Sequence, residues 1–252
     1  MIIIKTDSEI ERLRRGGPVL ARILREVAAV VRPGVTTDEL DKLTRSLMEK
    51  EGVTPAFLGY RPDGADRPYP AALITSVNEE VVHGIPNSRI LKVGDIISLD
   101  TGINFEGVYL DHAVTVPVGE IGAKDKELLS ATEAALEVGI EAAQAGNTTG
   151  DIGHNIQSAI PKKFGIVRTL SGHGVGRTIH EDPYVPNYGK PGKGAALKPG
   201  MVIAIEPMIT RGSEEVVLLD DGYTLVTEDR SRAAHFEHTV LITEKGPEVL
   251  TK

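Results

Sequence analysis

Length, composition and charge narrow the classes of protein to which this chain can belong. The chain has 252 residues, with 28 lysines and arginines against 36 aspartates and glutamates, and a formal net charge of −8. This negative charge argues against a nucleic-acid-binding protein, which needs a basic surface to neutralise phosphates. Cysteine is absent, which excludes disulfides, thiolate metal sites and cysteine nucleophiles. Any metal must therefore be held by histidine and carboxylate.

The N-terminal segment predicts neither a signal peptide nor a membrane anchor. Met1 and three isoleucines are followed at once by charged residues, so no apolar stretch of signal-peptide length can form. No apolar run approaches the roughly 20 residues that a membrane span needs. We expect a soluble cytoplasmic protein that contacts no membrane and no nucleic acid.

Helices are predicted in the first half of the chain and again after residue 120. The first helix begins near Glu9, with Asp7 or Ser8 as its cap, and stops at Arg32-Pro33-Gly34. The second spans residues 36–49 and is capped by Thr37. A loop rich in proline and glycine is predicted at residues 58–70, strands at 94–118, helices at 124–145 and 151–163, and strands and turns from 169 onward.

An internal repeat is the most informative feature of the sequence. Residues 91–100 (LKVGDIISLD) match residues 197–206 (LKPGMVIAIE), and residues 111–114 (DHAV) resemble residues 237–240 (EHTV). Upstream, GVTT at residues 34–37 resembles GNTT at residues 146–149. Because the matches keep their order, we expect a single domain, residues 1–252, built of two related halves. Each half would deliver two acids.

The acids of each half are predicted to pair across a hairpin. If Phe105-Glu106 is the two-residue turn, Asp100 and Asp111 face each other directly on neighbouring strands. Like charges at such positions destabilise a sheet, so something cationic should lie between them, and a pair of metal ions would need this spacing. The same register pairs Glu206 with Glu237 around the hairpin signal Asp221-Gly222.

Three of the seven histidines have informative surroundings. His83 and His173 lie in apolar or glycine-rich segments, and His180 follows in TIHEDP at residues 178–183. The seven-residue spacing of His173 and His180 puts them on opposite faces of a straight strand unless a turn intervenes. The other four are expected to be ordinary hydrogen-bonded core or surface imidazoles: His112, His154, His235 and His238.

Taken together, six motifs resemble the bacterial type I methionine aminopeptidases over essentially the whole chain. They are HGIP at residues 83–86, the hairpin with Asp100 and Asp111, SGHGVGR at 171–177, HEDP at 180–183, IEPM at 205–208 and FEHT at 236–239. The resemblance implies the pita-bread fold, an α/β (α+β) domain with pseudo-twofold symmetry and a curved antiparallel sheet covered by helices.

The resemblance also implies a dinuclear metal site. Its ligands would be Asp100, Asp111, His173, Glu206 and Glu237, with Asp111 and Glu237 bridging two divalent ions, Asp100 serving one ion, and His173 with Glu206 serving the other. Hard carboxylates with one imidazole suit Co²⁺, Mn²⁺, Fe²⁺ or Zn²⁺.

The implied activity is removal of the N-terminal methionine from nascent proteins and peptides whose second residue is small. A metal-activated water would attack the first peptide bond, with Glu206 as general base, His180 at the carbonyl oxygen and His83 at the nitrogen side. The apolar pocket for the methionine side chain would be walled by Tyr60, Tyr69, Ile74, Ile179 and Tyr223. We expect a monomer, and a contact with the ribosome is compatible with this function.

Two alternatives remain at this stage. One is an Xaa-Pro aminopeptidase-like enzyme of the same fold, although such relatives usually carry an extra N-terminal domain. The other is a non-catalytic pita-bread binding module, which would be expected to lack some of the metal ligands.

Overall fold

The computed structural model of the chain describes residues 1–62 and 64–252. Over these residues the helices are α1 (Asp7–Ala29), α2 (Thr37–Glu51), α3 (Ala123–Ala142) and α4 (Thr149–Ala159). The strands are β1 (Thr54–Pro55), β2 (Ile74–Val77), β3 (Glu80–Val82), β4 (Ile96–Phe105), β5 (Val108–Pro117), β6 (Gly165–Ile166), β7 (Ser171–Gly174), β8 (Glu181–Pro186), β9 (Val202–Ile205), β10 (Met208–Thr210), β11 (Val216–Leu218), β12 (Leu225–Thr227), β13 (Ala233–His235), β14 (Glu237–Thr243) and β15 (Gly246–Val249).

One large antiparallel sheet organises the described residues. Seven of its strands follow the order β1-β4-β5-β14-β9-β7-β8, while β2 pairs with β4 and β15 with β14. Two small three-stranded sheets, β13-β10-β6 and β11-β12-β3, lie beside it. Helices α1 and α2 pack on the strands of the first half, and α3 and α4 on those of the second. The predicted α/β architecture with a helix-covered antiparallel sheet is confirmed.

The predicted loop at residues 58–70 is confirmed for its described part, which contains no helix or strand; residue 63 lies outside the described residues. Among the described residues, none of the helices combines the length and the apolar character that crossing a bilayer requires.

Helix starts differ from the predicted ones because threonine capping boxes decide them. Thr6, and not Asp7 or Ser8, accepts the main-chain N–H of Glu9 and is capped back by the Glu9 carboxylate. Thr36, and not Thr37, does the same with Glu39. In the second half, Thr148 forms the box with Asp151, so α4 begins before the predicted residue 151.

Helix ends also differ from prediction. Helix α4 stops at Ala159, short of the predicted residue 163, because Pro161 follows its C-cap and the residue before a proline is pushed out of helical geometry. Helix α3 ends at Ala142, three residues early.

The internal repeat recurs in the hydrogen bonds of the two halves. In the first half, Gly34 N–H donates to the Leu91 carbonyl, and Leu91 N–H donates to Val35. In the second half, the Gly146 N–H donates to Leu197, whose own N–H donates to Asn147. Equivalent isolated bridges, Thr36 with Ile90 and Thr148 with Ala196, complete the match. Corresponding residues therefore make corresponding bonds in both halves.

The β4–β5 hairpin has a different register from the predicted one. Its turn is Glu106-Gly107, not Phe105-Glu106, and both turn residues have positive φ, 50° and 85°. That backbone matches the type I′ turn, which suits the twist of paired strands, and Asn104 Oδ1 accepts the Gly107 N–H at 2.9 Å. Asp111 consequently pairs with Gly102, so the prediction that it lies directly opposite Asp100 is wrong. A shift of two residues keeps both acids on one face as diagonal neighbours.

The predicted register of the second pair of acids is confirmed along a long hairpin arm. One alignment runs through the pairs Ile205–His238, Met208–His235 and Val216–Thr227 up to Leu218–Leu225. The arm closes around Asp221-Gly222, where Gly222 has φ 77°. Glu206 directly follows β9, one residue beyond the Ile205–His238 pair, where the same alignment sets it against Glu237.

Candidate active site

A cavity of about 550 Å³ opens over one face of the large sheet. Most of the predicted site residues line it, namely Asp100, Asp111, His173, Glu206, Glu237, His83, His180, Tyr60, Tyr69, Ile74 and Tyr223. Residues that are far apart in the chain thus meet at one concave site, which is the usual form of an active site.

The four acids and His173 come from five adjacent strands. In sheet order, β4 carries Asp100, β5 carries Asp111, β14 begins with Glu237, Glu206 directly follows β9, and β7 carries His173. Because neighbouring strands lie about 4.8 Å apart, the sheet sets these side chains in a row across its face. Three of them, Asp111, His173 and Glu237, each offer a ligand atom within 4.8 Å of the other two.

The orientation of His173 leaves a lone pair directed at the acids. Its Nδ1 lies 2.9 Å from the carbonyl oxygen of Gly174, and a carbonyl only accepts, so Nδ1 carries the hydrogen and donates. Burial lowers the pKa of His173 to about 3, so the ring is neutral. Its Nε2, 3.5 Å from Glu206 Oε1 and 3.9 Å from Asp111 Oδ2, therefore meets oxygens with no hydrogen of its own.

Burial of four acids at one place makes their charges costly. It raises the pKa of Asp111 to about 7 and that of Glu206 to about 8. The pKa values of Asp100 and Glu237 lie well above the usual range, first because of burial and then because of neighbouring acids. Asp100 Oδ1 and Glu237 Oε1 are buried and have no hydrogen-bond partner among the described residues. Buried carboxylates that repel one another and have unpaired oxygens are costly on their own. Divalent cations, which bind oxygen and imidazole ligands, would balance these charges and occupy the unpaired oxygens.

His180 reaches the same cavity through a bend. Residues 175–180 bend between β7 and β8, so His180 does not continue the strand of His173, and the two rings meet with centroids 4.5 Å apart. The bend is held by Glu181, whose Oε1 accepts the Thr178 N–H at 2.9 Å and whose Oε2 pairs with the buried Lys5 at 2.7 Å. His173 and His180 would lie on opposite faces of a straight strand, but the bend between them brings both rings to the same cavity.

His180 and His83 stand at the cavity wall with part of each side chain open to solvent. Desolvation by the surrounding protein lowers the pKa of each to about 4, so both rings are neutral. The Nδ1 of His180 lies 2.9 Å from the Tyr60 hydroxyl oxygen. His83 follows β3 with φ 62°, a left-handed backbone that turns the chain at this point. Neither ring is hydrogen-bonded to an acid of the row among the described contacts.

Apolar and aromatic side chains form the other wall of the cavity. The Tyr69 hydroxyl donates to the Gly84 carbonyl at 2.9 Å, and its ring meets Tyr223 edge to face at 5.1 Å. The Tyr223 hydroxyl donates to the Arg67 carbonyl, and Ile74 extends from β2. Ile179 does not line the cavity: it is buried in the core, where it packs over Gly102. Close packing at a glycine thus draws its side chain away from the predicted wall.

The sequence analysis did not predict that His235 lies in the cavity. His235, expected to be an ordinary imidazole, is 2% exposed, and its Nε2 lies 3.4 Å from Glu206 Oε2. Its position two residues before Glu237 is the available signal, because residues i and i+2 of an extended chain share a face. Phe57 and Leu170 also line the cavity.

The remaining three histidines fit the expectation. His112 stacks on His238 with ring centroids 4.6 Å apart, and their Nδ1 atoms contact the Glu237 carbonyl and the Thr251 hydroxyl. His154 is exposed on α4.

Comparison with known proteins places this chain among enzymes. Residues 11–244 match the model of metallopeptidase family M24. The chain belongs to that family. Methionine aminopeptidase 1 of Bacillus subtilis is 46% identical over 100% of both chains. The crystal structure of methionine aminopeptidase from Thermotoga maritima superposes with a TM-score of 0.95 at 48% identity, covering 100% of both chains. The resemblance to methionine aminopeptidases and the pita-bread fold of the M24 enzymes are thereby confirmed.

Membership in family M24 makes the chain a metal-dependent peptidase, which agrees with the row of buried acids. The Xaa-Pro alternative is not favoured. Prolidase from Pyrococcus furiosus has a TM-score of 0.75 at 26% identity, and this chain covers only 65% of it. The non-catalytic alternative is not favoured either, because all the predicted acids and His173 line the cavity.

Proposed function

We propose that this M24 peptidase removes the N-terminal methionine from peptides and nascent proteins whose second residue is small. The observation that carries the proposal is the joint lining of one cavity by the acid row and by an aromatic wall. Full-length relatives with the name methionine aminopeptidase, at 45% and 46% identity, support it. We further propose that residues 1–252 act as one catalytic domain of two related halves, as a monomer in the cytoplasm.

Two divalent ions are proposed as the cofactors, held by Asp100, Asp111, His173, Glu206 and Glu237. The unpaired buried oxygens of Asp100 and Glu237 and the lone pair of His173 support this ligand set. Asp111 and Glu237 would bridge the ions, because in sheet order they are the middle two of the four acids, on the neighbouring strands β5 and β14. When bound, the ions supply a nucleophile at neutral pH by lowering the pKa of water, and they polarise the scissile carbonyl.

The side chains around the row would then handle protons and orient the peptide. Glu206 is proposed to accept the proton of the attacking water and return it to the leaving amine, a task open to a carboxylate that lines the cavity. His180 would donate its Nε2–H to the carbonyl oxygen as negative charge develops there, with Nδ1 held by Tyr60. His83 would hold the nitrogen side of the bond.

The wall of Tyr60, Tyr69, Ile74 and Tyr223 is proposed to select the first side chain. An unbranched thioether adapts to an irregular apolar wall, whereas a branched side chain of similar volume fits it poorly. Such pockets discriminate by about 1–3 kcal/mol per misplaced methyl group. A small second residue is required because His83 and the row of acids crowd the scissile bond.

A peptide panel that varies the first and second residues separately tests the proposal. Metal-depleted protein receives Co²⁺, Mn²⁺, Fe²⁺ or Zn²⁺ one at a time and is assayed by mass spectrometry. We expect release of methionine before Gly, Ala or Ser, and cleavage of Leu-initiated peptides slower by about 10- to 200-fold. Efficient cleavage of Xaa-Pro peptides with any first residue, under any of these ions, would contradict the proposal.

A further inference from the structure

His235 is a buried histidine whose Nε2 has no hydrogen-bond partner among the described residues. It lies at the end of β13, lines the cavity and is 2% exposed. Its Nε2 is buried and unpaired, and the nearest acidic oxygen is Glu206 Oε2, at 3.4 Å. A buried polar atom without a partner is costly, so its presence beside an acid of the site points to a role there.

The main chain of His235 is fixed on both sides by one hydroxyl group. Thr115 Oγ1 accepts the His235 N–H at 2.8 Å and donates to the His235 carbonyl at 2.7 Å. Since a hydroxyl has a single hydrogen, Ser98, whose Oγ lies 2.8 Å from Thr115 Oγ1, must be the donor in that contact. This clamp from β4 and β5 holds the backbone of His235 in place and thereby limits where its ring can lie.

Glu206 stands between two imidazoles, and the two differ in what they can offer. Its Oε1 faces His173 Nε2, which presents a lone pair because the hydrogen is on Nδ1. Its Oε2 faces His235 Nε2. With Glu206 ionised, as it must be to bind a cation, only an Nε2–H on His235 makes this second contact attractive. The 3.4 Å separation is a few tenths of an ångström beyond a usual N–H···O distance, and such contacts often tighten when substrate binds.

We propose that His235 is a positioning residue for Glu206, with its neutral ring donating Nε2–H to Oε2 so that Oε1 is presented to the His173 side of the cavity. This inference rests on the proposed function, in which Glu206 handles the proton of the reaction. His235 itself touches neither substrate nor metal in this arrangement. Its contribution is to remove the rotational freedom of the carboxylate.

Two substitutions at one position test the inference. His235→Leu removes the donor and keeps an apolar side chain of moderate volume, whereas His235→Gln places an amide N–H at about the reach of Nε2. We expect kcat on a Met-Gly peptide to fall about 10- to 100-fold in His235→Leu, the effect of one lost hydrogen bond to a charged group, with KM within about 3-fold. His235→Gln should recover kcat to within about 3-fold of the original chain.

A second measurement does not depend on activity. Calorimetric titration of the metal-depleted variants with Mn²⁺ should give the stoichiometry of the original chain for both, with an affinity loss in His235→Leu of at most about 100-fold. Loss of one ion in His235→Leu would make His235 a metal ligand and overturn the proposal. Failure of Gln to rescue kcat, or wild-type kcat in His235→Leu with a normal thermal midpoint, would overturn it as well. If the original chain cleaves no methionyl peptide at all, the proposed function fails, whereas the metal titration still tests His235 separately.

Discussion

At the scale of single residues, the acids at the centre of the row decide whether metal can be held. We expect Asp111→Asn and Glu237→Gln each to lower the metal stoichiometry and to abolish turnover, because each side chain is proposed to touch both ions. The metal-free variants should melt at higher temperature than the metal-free original, since each removes a buried acid whose ionisation is costly in the folded protein. Metal analysis, a Met-Gly peptide assay and calorimetry measure the three effects.

Glu133→Gln is the matched control for these two variants. It neutralises an acid of α3 that is exposed to solvent, and it should change neither metal content nor turnover. A central-acid variant with normal metal content and normal turnover would refute the bridging assignment.

The two cavity histidines that lie outside the ligand set should behave differently from the acids. We expect His180→Ala to retain metal and to lose kcat/KM by about 10²- to 10⁴-fold, the usual effect of one acid–base or oxyanion group. His83 has φ 62°, so Asn, which tolerates that backbone better than Ala, is the cleaner substitution there, with the same expected result. The measurements are metal analysis and steady-state kinetics.

His154→Ala, on the exposed surface of α4, is the control for loss of an imidazole and should be silent in both assays. Loss of bound metal in His83→Asn would place His83 among the ligands instead of beside the substrate.

At the scale of secondary-structure elements, the two halves should respond alike to the same change. Thr36 and Thr148 cap α2 and α4 with equivalent boxes. We expect Thr36→Ala and Thr148→Ala each to lower the free energy of unfolding by about 1 kcal/mol, because each leaves helical N–H groups unpaired. Urea denaturation followed by circular dichroism measures it.

The serine variants Thr36→Ser and Thr148→Ser keep the hydroxyl and should stay close to the original midpoint. If the alanine variants were as stable as the serine ones, the capping boxes would contribute nothing to the free energy of unfolding, and the helix starts would need another explanation.

At the scale of the whole molecule, the buried acids tie stability to pH and to metal. In the metal-free protein, burial holds the pKa values of Asp111 and Glu206 at about 7 and about 8, above their values in the unfolded chain. Their raised pKa values favour folding at low pH, and that stability is lost as the pH rises through 7 and 8. The buried histidines have lowered pKa values, so they change the stability only below about pH 6.5. Between pH 6.5 and 8.5 the pH dependence of stability therefore reports on the acids.

We therefore expect the thermal midpoint of the metal-free protein to fall between pH 6.5 and 8.5, and metal binding to release protons in that window. Calorimetry in two buffers with different ionisation enthalpies measures the release. At saturating metal, the thermal midpoint should depend less on pH over this window. A midpoint of the metal-free protein that stays level or rises over the window would contradict the electrostatic account of the row.

Much of the fold and the site followed from local patterns in the sequence. The internal repeat predicted two related halves, and corresponding residues of the repeat make corresponding hydrogen bonds. Asp221-Gly222 predicted the register of the long arm that carries Glu206 and Glu237. Such features depend on residues close together in the chain, or on one turn, and alternation along a strand then fixes which side chains share a face. The acids were therefore accessible to prediction.

The β4–β5 turn is also a local feature, but it lies one residue later than predicted because Glu106 and Gly107 adopt positive φ together, which puts Asp111 diagonal to Asp100. Tertiary structure decided the rest. His180 joined His173 through a bend held by Lys5 and Glu181, and Ile179 moved into the core over Gly102. His235 faces Glu206 because β13 and β10 pair beside the main sheet. Each of these three placements depends on contacts between distant segments, whose energies exist only once the strands are ordered side by side. Alternation along the chain puts His235 on the face of Glu237, but no local pattern brings its ring to Glu206.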